Sequence, residues 1–171
     1  MEAMITTSIL IGNLCTLLAM GANSLSATRK TTKSMLQCQN LSQLIYCISA
    51  IVLSGYSAAV QNVVSIFRNM VAVRNIKSKA LEWTLVALGV VLGIAFNNRG
   101  WLGLLPVVGN LQYTLSIFKF KGNDRAVKFS FLLSVVAFLI FNISLYNFVG
   151  VVADSTVIIT TAIALIKENK E

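Results

Sequence analysis

Apolar residues dominate the chain in long runs that short polar clusters interrupt. A helix that crosses a membrane needs about 20 mostly apolar residues, and the charged clusters and short turns divide the sequence into pieces of about that length. The seven predicted spans cover residues 5–22, 34–53, 56–73, 80–96, 101–118, 127–147 and 150–167. No stretch remains for a soluble domain, so the pattern predicts an all-α polytopic membrane protein with a single membrane domain over residues 1–171.

The basic residues concentrate in one set of the connections between these spans. Arg29, Lys77 and Lys121 represent three such basic loops, whereas Arg99 stands alone on the opposite side. Because lysine and arginine accumulate in cytoplasmic loops, we expect the N-terminus outside and the C-terminus in the cytoplasm. Aromatic residues near the predicted span ends fit the membrane interface; they are Trp83, Trp101, Tyr56 and Tyr146.

The overall composition supports a membrane protein and excludes several other classes. The chain is 56% hydrophobic and 12% charged, and its net charge of +8 lies in loops, so we expect the lipid bilayer and no nucleic acid as partner. It has no histidine, and its three cysteines lack C-x-x-C spacing. We therefore expect no metal, no cofactor, no catalytic residue and no enzymatic activity. An acidic residue near the N-terminus argues against a signal peptide, so the first helix is expected to remain.

The sequence also contains a weak internal repeat. Gly12-Asn13-Leu14 in the first span recurs as Gly109-Asn110-Leu111 in the fifth, and each triplet is followed by a basic loop, a long helix, a short turn and a third helix. An offset of 95 residues pairs Tyr46 with Phe141, whereas an offset of 92 pairs Asn62 with Asp154. This repeat predicts two parallel three-helix units, over residues 5–79 and 101–171, joined by a linker helix over residues 80–96.

This arrangement of three helices, one helix and three helices resembles the SWEET and PQ-loop group of membrane proteins. The resemblance implies transport by two parallel repeats with a solute site at their interface. The asparagine-plus-aromatic pocket of SWEET proteins carries over to Asn62, Tyr46 and Phe141. The proline signature of the group is mostly missing, since Pro106 is the sole proline, so the resemblance extends neither to a proline hinge nor to sugar.

Residues 55–75, GYSAAVQNVVSIFRNMVAVRN, carry a second resemblance. A glycine-led turn is followed there by Asn62, Ser65 and Arg68 in an Asn-x-x-Ser-x-x-Arg pattern. This stretch resembles the YgjV-type bacterial inner-membrane proteins. The resemblance implies a multi-pass protein of the bacterial inner membrane, and it implies no particular substrate.

Two ionisable residues fall inside predicted spans, and such residues are functional candidates because burying their charge is costly. Arg68 is predicted in the cytoplasmic third, where it either extends toward the headgroups or faces the bundle as part of an inner gate. Asp154 is predicted about one turn inside the outer edge, either exposed at the interface or facing a pocket.

Polar residues in the second span form a stripe. Gln39, Gln43 and Tyr46 share one helix face, and unpaired amides cannot comfortably face lipid. The predicted depths of Gln39 and Gln43 match that of Arg68, so these three residues form a predicted inner gate. The alternative is that the glutamines only hold helices together through hydrogen bonds.

A second polar level predicts a solute pocket nearer the outside. Amides donate and accept hydrogen bonds while aromatic rings cover apolar surfaces, a combination suited to a small polar solute. The predicted pocket residues are Asn13, Tyr46, Asn62, Asn110, Phe141 and Asp154. In the linker helix, Gly89 and Gly93 form a GxxxG pattern, which favours close packing within the chain or, alternatively, a homodimer.

These features favour a small-solute transporter or facilitator that works by alternating access. The alternative is a non-transporting sorting, regulatory or interaction subunit of the membrane. Both functions use the same helical bundle, so the sequence pattern by itself leaves both open.

Overall fold

The computed structural model describes residues 2–167, with side chains from residue 7 onward, so residues 168–171 of the predicted second unit lie outside the described part. All regular structure in the described residues is helical, which confirms the predicted all-α class. The α-helices are α1 (Glu2–Ala27), α2 (Thr32–Val52), α3 (Tyr56–Val73), α4 (Lys79–Ala95), α5 (Leu105–Lys119), α6 (Asp124–Ser144) and α7 (Phe148–Lys167), and a 3₁₀ turn at Leu102–Leu104 precedes α5.

Three stretches within these helices are long and apolar enough to cross a membrane by length and composition. They are Thr7–Ala27 in α1, Asp124–Ser144, which is the whole of α6, and Phe148–Lys167, which is the whole of α7. Large apolar side chains are nevertheless exposed on each of the seven α-helices. Contiguous exposed apolar surface of this extent is typical of a surface that lies in lipid or against another protein.

Side-chain caps fix where three of the helices begin. The side-chain oxygens of Thr31, Ser78 and Asn123 each accept a hydrogen bond from the backbone N–H three residues ahead, at the beginnings of α2, α4 and α6. Such caps satisfy one of the free donors at a helix N-terminus. The cap at Asn123 explains why α6 begins at Asp124 rather than at the predicted residue 127.

The fifth helix begins later than predicted. The predicted span starts at residue 101, but Gly100 has a φ of 57°, and the chain forms the 3₁₀ turn before α5 begins at Leu105. Pro106 stands in the first turn of α5, where its fixed φ and missing N–H cost nothing. The sole proline of the chain therefore starts a helix and does not bend one.

The turn between α2 and α3 has the same geometry as the turn between α6 and α7. α2 and α6 each contain 21 residues, and each is followed by a residue in the left-handed region, Ser54 and Tyr146, both with a φ of 55°. The first residues of α2 and α6, Thr32 and Asp124, are 92 positions apart. Equivalent positions in these two helix pairs are therefore related by an offset of 92.

The predicted offset of 95 is wrong for these helices. It differs from the structural offset by three residues, which is nearly one helical turn and places the predicted partner on a different part of the helix. Tyr46 corresponds to Phe138 rather than to Phe141, while the alternative pairing of Asn62 with Asp154 has the structural offset of 92. The error arises because few residues are identical at equivalent positions of the two helix pairs. The backbone conformation of the turn, in contrast, is the same in both.

Six of the helices form a closed ring. In order around it, α1, α2, α3, α5, α6 and α7 each pack against the next, and α7 packs against α1. α4 lies outside the ring against α3 and α5. The beginnings of α2 and α6 meet across the ring, where the Asp124 carboxylate accepts hydrogen bonds from the backbone N–H and the hydroxyl of Thr32. The ring leaves an interior that six helices share.

Two apolar clusters close this interior at opposite ends. The loop-side cluster lies near the basic loops and consists of Ala27, Met35, Leu36, Val71, Leu85, Tyr113, Ile117, Phe118, Val127, Phe131, Val135 and Val157. The turn-side cluster lies near the two short turns and consists of Ala50, Leu53, Ala58, Ala59, Phe141 and Leu145. Polar side chains occupy the zone between these clusters, which is where the functional candidates of the sequence lie.

Candidate functional site

A cavity lies inside the ring of helices, between the loop-side and turn-side clusters. It encloses a volume of about 70 Å³, which is room for several water molecules. Six of the predicted pocket and gate residues line it; they are Gln43, Tyr46, Asn62, Arg68, Asn110 and Asp154. The structure therefore places four of the six predicted pocket residues and two of the three predicted gate residues around one connected space.

Arg68 is fully buried beside this cavity, with 0% of its surface exposed. Its Nε and Nη2 both donate to the Asn69 side-chain oxygen, at 3.0 and 2.8 Å. Its Nη1 donates to the Asn110 side-chain oxygen at 2.6 Å and to the Thr114 hydroxyl at 3.2 Å. The predicted alternative in which Arg68 extends to the headgroups is wrong, because side chains of α3 and α5 hold the guanidinium inside the bundle.

Asn110 is the centre of the hydrogen bonds around Arg68. Its side-chain oxygen also accepts from the Ser65 hydroxyl at 2.8 Å, and its amide nitrogen donates to the Gln61 side-chain oxygen at 2.7 Å. Gln61 in turn donates to the backbone oxygen of Gly89 at 2.7 Å. These bonds join α3, α4 and α5; we call their side chains the arginine network, which consists of Gln61, Ser65, Arg68, Asn69, Asn110 and Thr114.

An aromatic ring separates Arg68 from one of the predicted gate glutamines. The Arg68 guanidinium carbon lies 4.6 Å from the centre of the Tyr113 ring, a distance at which a cation is attracted to the ring face. The Tyr113 hydroxyl donates to the Gln39 side-chain oxygen at 3.2 Å. Gln39 is buried behind Tyr113 and does not line the cavity, whereas Gln43 does. Arg68 and Gln39 are therefore linked through Tyr113 rather than in direct contact.

Asp154 lies on another part of the cavity wall and has its own set of partners. The side chain is 6% exposed, so the predicted alternative of simple interfacial exposure is wrong. One carboxylate oxygen accepts from the Asn142 amide at 2.8 Å, and the Asn142 oxygen accepts from Asn147 at 3.0 Å. Asn147 also donates to the Thr16 hydroxyl at 3.2 Å, which lies 2.7 Å from the Ser49 hydroxyl. We call this set the aspartate network; it consists of Thr16, Ser49, Asn142, Asn147 and Asp154.

Neither charged group has an oppositely charged protein partner. Among the side chains of residues 7–167, no carboxylate lies within 4.0 Å of the Arg68 guanidinium, and no cationic nitrogen lies within that distance of the Asp154 carboxylate. Neutral amides and hydroxyls take the hydrogen bonds of both groups. One arginine and one aspartate side chain therefore line a cavity inside an apolar bundle without direct ion pairing.

Asn13 and Phe141 do not line the cavity. The Asn13 oxygen accepts from the backbone N–H of Val149 at 2.8 Å, and its amide donates to the backbone oxygen of Tyr146 at 3.4 Å, so Asn13 ties α1 to the beginning of α7. Phe141 is 1% exposed within the turn-side cluster. The prediction that Asn13 and Phe141 line the pocket is therefore wrong.

The two asparagines of the repeated triplet also lie at different depths. Asn13 lies level with the turn before α7, whereas Asn110 contacts Ser65 in the middle of α3. Ser65 is roughly 13 Å along the helix from the beginning of α3 at 1.5 Å per residue. The predicted equivalence of Asn13 and Asn110 is therefore wrong, since the late start of α5 shifts its residues relative to those of α1.

The glycines of α4 face the ring within the same chain. A Cβ added at Gly93 would meet the Gln61 amide and the Val107 side chain, while one at Gly89 would make ordinary contact with Gln61 at 3.6 Å. The nearby Glu82 carboxylate pairs with Lys121 at 2.8 Å and Lys79 at 3.4 Å, at the loop side of the bundle. Glu82 is therefore engaged with loop lysines and not with Arg68.

Sequence reasoning missed several residues of the cavity wall, notably Tyr113, Phe138 and Asn142. The 92-residue offset would have found two of them, because it pairs Tyr46 with Phe138 and places Asn142 opposite Ala50, which also lines the cavity. Tyr113 gave no such signal, because its contact with Arg68 depends on how α5 packs against α3.

The described residues contain no cluster of three or more His, Cys, Asp or Glu side chains that could hold a metal. Cys15, Cys38 and Cys47 are unpaired and partly buried. What the cavity offers is hydrogen-bond donors and acceptors, aromatic walls and two opposite charges. This chemistry suits reversible binding of a small polar molecule.

Comparison with known proteins gives one family. No curated protein and no solved structure matches the chain. A family model described as a bacterial inner membrane protein does match, and it covers residues 10–171, nearly the whole sequence. The apolar exterior of the bundle agrees with that description. The chain belongs to the Imp-YgjV family of bacterial inner membrane proteins.

Proposed function

We propose that this protein moves a small polar solute across the membrane by alternating access between two parallel three-helix units. The first unit comprises α1, α2 and α3, the second comprises α5, α6 and α7, and α4 links them. Three helices bring the chain to the opposite side of the membrane, so a second unit has the same orientation only if one more helix intervenes.

The packing of the ring supports this repeat. A rotation that exchanges the two units converts the α1–α2 contact into the α5–α6 contact and the α1–α7 contact into the α5–α3 contact, and all of these contacts are present. The common 92-residue offset of the second and third helices supports the same rotation. An axis along the membrane normal is one of the known arrangements of transporter repeats.

The position of the cavity is the observation that carries the proposal. Both members of several residue pairs related by the 92-residue offset line it, which supports a position on the proposed axis between the units. The pairs are Gln43 with Val135, Tyr46 with Phe138, Ala50 with Asn142, Leu53 with Leu145, and Asn62 with Asp154. A solute in this cavity would contact both units, so rocking of one unit against the other would change its access.

The two apolar clusters are suitable gates. The turn-side cluster is small and joins α2, α3 and α6, whereas the loop-side cluster contains residues of all seven helices. Separation of the turn-side cluster would open the cavity in the direction of the short turns. The loop-side cluster would meanwhile keep the opposite end closed.

We further propose that all seven helices cross the membrane, with the N-terminus outside and the C-terminus in the cytoplasm. The basic residues in the loops after α1, α3 and α5 support this orientation through the positive-inside rule. Trp83, Trp101 and Tyr146 are well exposed near helix ends, where an aromatic ring favours the membrane interface.

Solute uptake into liposomes tests the proposal. Purified protein in liposomes should give saturable uptake of at least one member of a panel of small amino acids, carboxylates, amines, polyols and sugars. A cysteine pair at Gly55 and Leu145, where a Cβ on Gly55 would lie 2.8 Å from a Leu145 methyl carbon, should block uptake when oxidised and restore it when reduced. Each single-cysteine variant is the control.

The proposal would be overturned if the protein remains folded in the vesicles and none of the solutes in this panel is taken up faster than by protein-free liposomes. Co-purification of a stoichiometric protein partner together with that result would favour the non-transporting sorting or regulatory subunit.

A further inference from the structure

The two charges on the cavity wall carry information about the solute that hydrogen bonds alone do not. Arg68 and Asp154 line the same space. Each is at least nine-tenths buried, and within the described chain neither has an oppositely charged group within 4.0 Å. Burying a charge with no counter-charge is costly, and a carboxyl group in that position favours its neutral form. A ligand that brings an ammonium to Asp154 and a carboxylate to Arg68 would therefore allow both side chains to be ionised and paired.

The cation belongs to one interface between the proposed units and the anion to the other. The arginine network joins α3 to α5, and the aspartate network joins α7 to α1 through Asn147 and Thr16. The proposed rotation exchanges these two interfaces. The backbone is therefore nearly symmetric across the cavity, whereas the basic side chain lies on one side and the acidic side chain on the other. This arrangement selects a polar solute by its orientation as well as by its size.

The depths of the two groups are compatible with one small molecule. Asp154 corresponds to Asn62 through the 92-residue offset. The Arg68 guanidinium turns back along α3, because it shares the Asn110 oxygen with the Ser65 hydroxyl. Ser65 lies roughly 4–5 Å beyond Asn62 along the helix axis at 1.5 Å per residue, so the two charged groups differ in depth by about one helical turn.

One other lining atom has unused hydrogen-bonding capacity. The side-chain oxygen of Gln43 is buried and has no hydrogen-bond partner, whereas the Tyr46 hydroxyl interacts with the Asn23 side chain. Buried polar atoms without partners are uncommon and call for an explanation. A ligand with N–H donors would satisfy the Gln43 oxygen, and an ammonium would also be attracted to the aromatic rings of Tyr46 and Phe138.

We infer that the solute is a small zwitterion with one carboxylate and one ammonium group. The carboxylate docks on Arg68 through the one Nη2 N–H that donates to no described residue, since the other four N–H donors are engaged by Asn69, Asn110 and Thr114. The ammonium docks on Asp154. The cavity volume of about 70 Å³ favours short amino acids over larger solutes. This inference rests on the proposed transport function for its setting, but binding tests it separately.

Binding of charge-matched probes to the detergent-purified full chain tests the inference. The zwitterions are glycine, β-alanine, γ-aminobutyrate and 5-aminovalerate, which differ in the separation of their charges. Butyrate and butylamine each lack one charge of γ-aminobutyrate. At least one zwitterion should stabilise the protein against thermal unfolding at a concentration tenfold or more below that required of either singly charged probe.

Two variants assign the ends of the solute. Asp154→Asn keeps the size of the side chain and an acceptor for the Asn142 amide, and it should remove the preference for the best zwitterion over its ammonium-free analogue. Asn110→Asp places a carboxylate where the Asn110 oxygen now accepts from Arg68 at 2.6 Å, and it should abolish carboxylate binding by occupying the guanidinium. The control is Asn98→Asp, an exposed asparagine outside the cavity, which should bind like the unmodified protein.

Binding and uptake separate the two proposals. If liposomes take up a polyol or sugar while no zwitterion binds, the zwitterion inference is overturned and the transport proposal stands. If a zwitterion binds but neither it nor any other solute crosses the membrane, the transport proposal is overturned and the binding site stands. A third result would also overturn the inference. Asp154→Asn would then bind the best zwitterion as tightly as the unmodified protein does, with the same preference over the singly charged probes.

Discussion

Replacing Asn110 with alanine removes the centre of the arginine network. The side chain accepts from Arg68 at 2.6 Å and from Ser65 at 2.8 Å, and it donates to Gln61 at 2.7 Å. A hydrogen bond to a charged group contributes about 1.5–3 kcal/mol, and a neutral contact between membrane helices contributes on average about 0.6 kcal/mol. Asn110→Ala should therefore lower the free energy of unfolding by about 3–4 kcal/mol.

Thermal unfolding of the detergent-purified protein measures this change. For a chain of this size, 1 kcal/mol corresponds to roughly 2–4 °C in Tm, so Asn110→Ala should lower Tm by about 6–15 °C. Asn98→Ala is the matched control, because that asparagine donates one hydrogen bond, at 2.7 Å to the backbone oxygen of Ser54, from an exposed position. Its Tm should fall by no more than about 4 °C.

The comparison of these two variants decides whether the buried network stabilises the bundle. If Asn110→Ala unfolds at the same temperature as Asn98→Ala, the hydrogen bonds to Arg68 contribute little, and the reasoning from burial to stability fails at this site.

Three further predictions concern helix packing, helix capping and orientation. Gly93→Ala should lower Tm by several degrees, since its Cβ would meet the Gln61 and Val107 side chains, whereas Gly21→Ala, with nothing within 4 Å of its Cβ, should not. Asp124→Ala removes the acceptor at the beginning of α2 and should cost about 1 kcal/mol in unfolding measurements, and Asp124→Asn should recover much of it. In a background without native cysteines, an impermeant thiol reagent applied to intact cells should label Asn98→Cys, and it should label Asn75→Cys only after lysis; the reverse pattern would refute the proposed orientation.

The sequence pattern was sufficient for the helices because their formation depends on local properties. Long apolar runs, charged clusters and short turns predict approximately where each helix lies without knowledge of its neighbours. The same pattern predicted that Arg68 and the polar face of α2 lie at similar depth, and it left open whether Arg68 faces the bundle or the headgroups. Both Arg68 and Gln43 line the cavity.

The sequence could not assign the register between the units. Three residues separate the predicted offset of 95 from the structural offset of 92, and at that error Tyr46 is matched with Phe141 instead of Phe138. Few residues are shared between the units, so identity alone gave several weak alignments. The left-handed φ of Ser54 and Tyr146, which only the folded backbone reveals, selects one of them.

By itself, the sequence determined the all-helical class, the approximate ends of the helices and the concentration of polar residues in particular spans. Only the tertiary structure decided that Arg68 is held inside by Asn110 and Asn69, that Asn13 ties α1 to α7 outside the cavity, and that Asp154 lies on the cavity wall. The physical reason is that helix formation depends on residues close in the chain. Which side chains meet across the bundle depends instead on the rotation and depth of helices far apart in sequence, where a shift of three residues changes every partner.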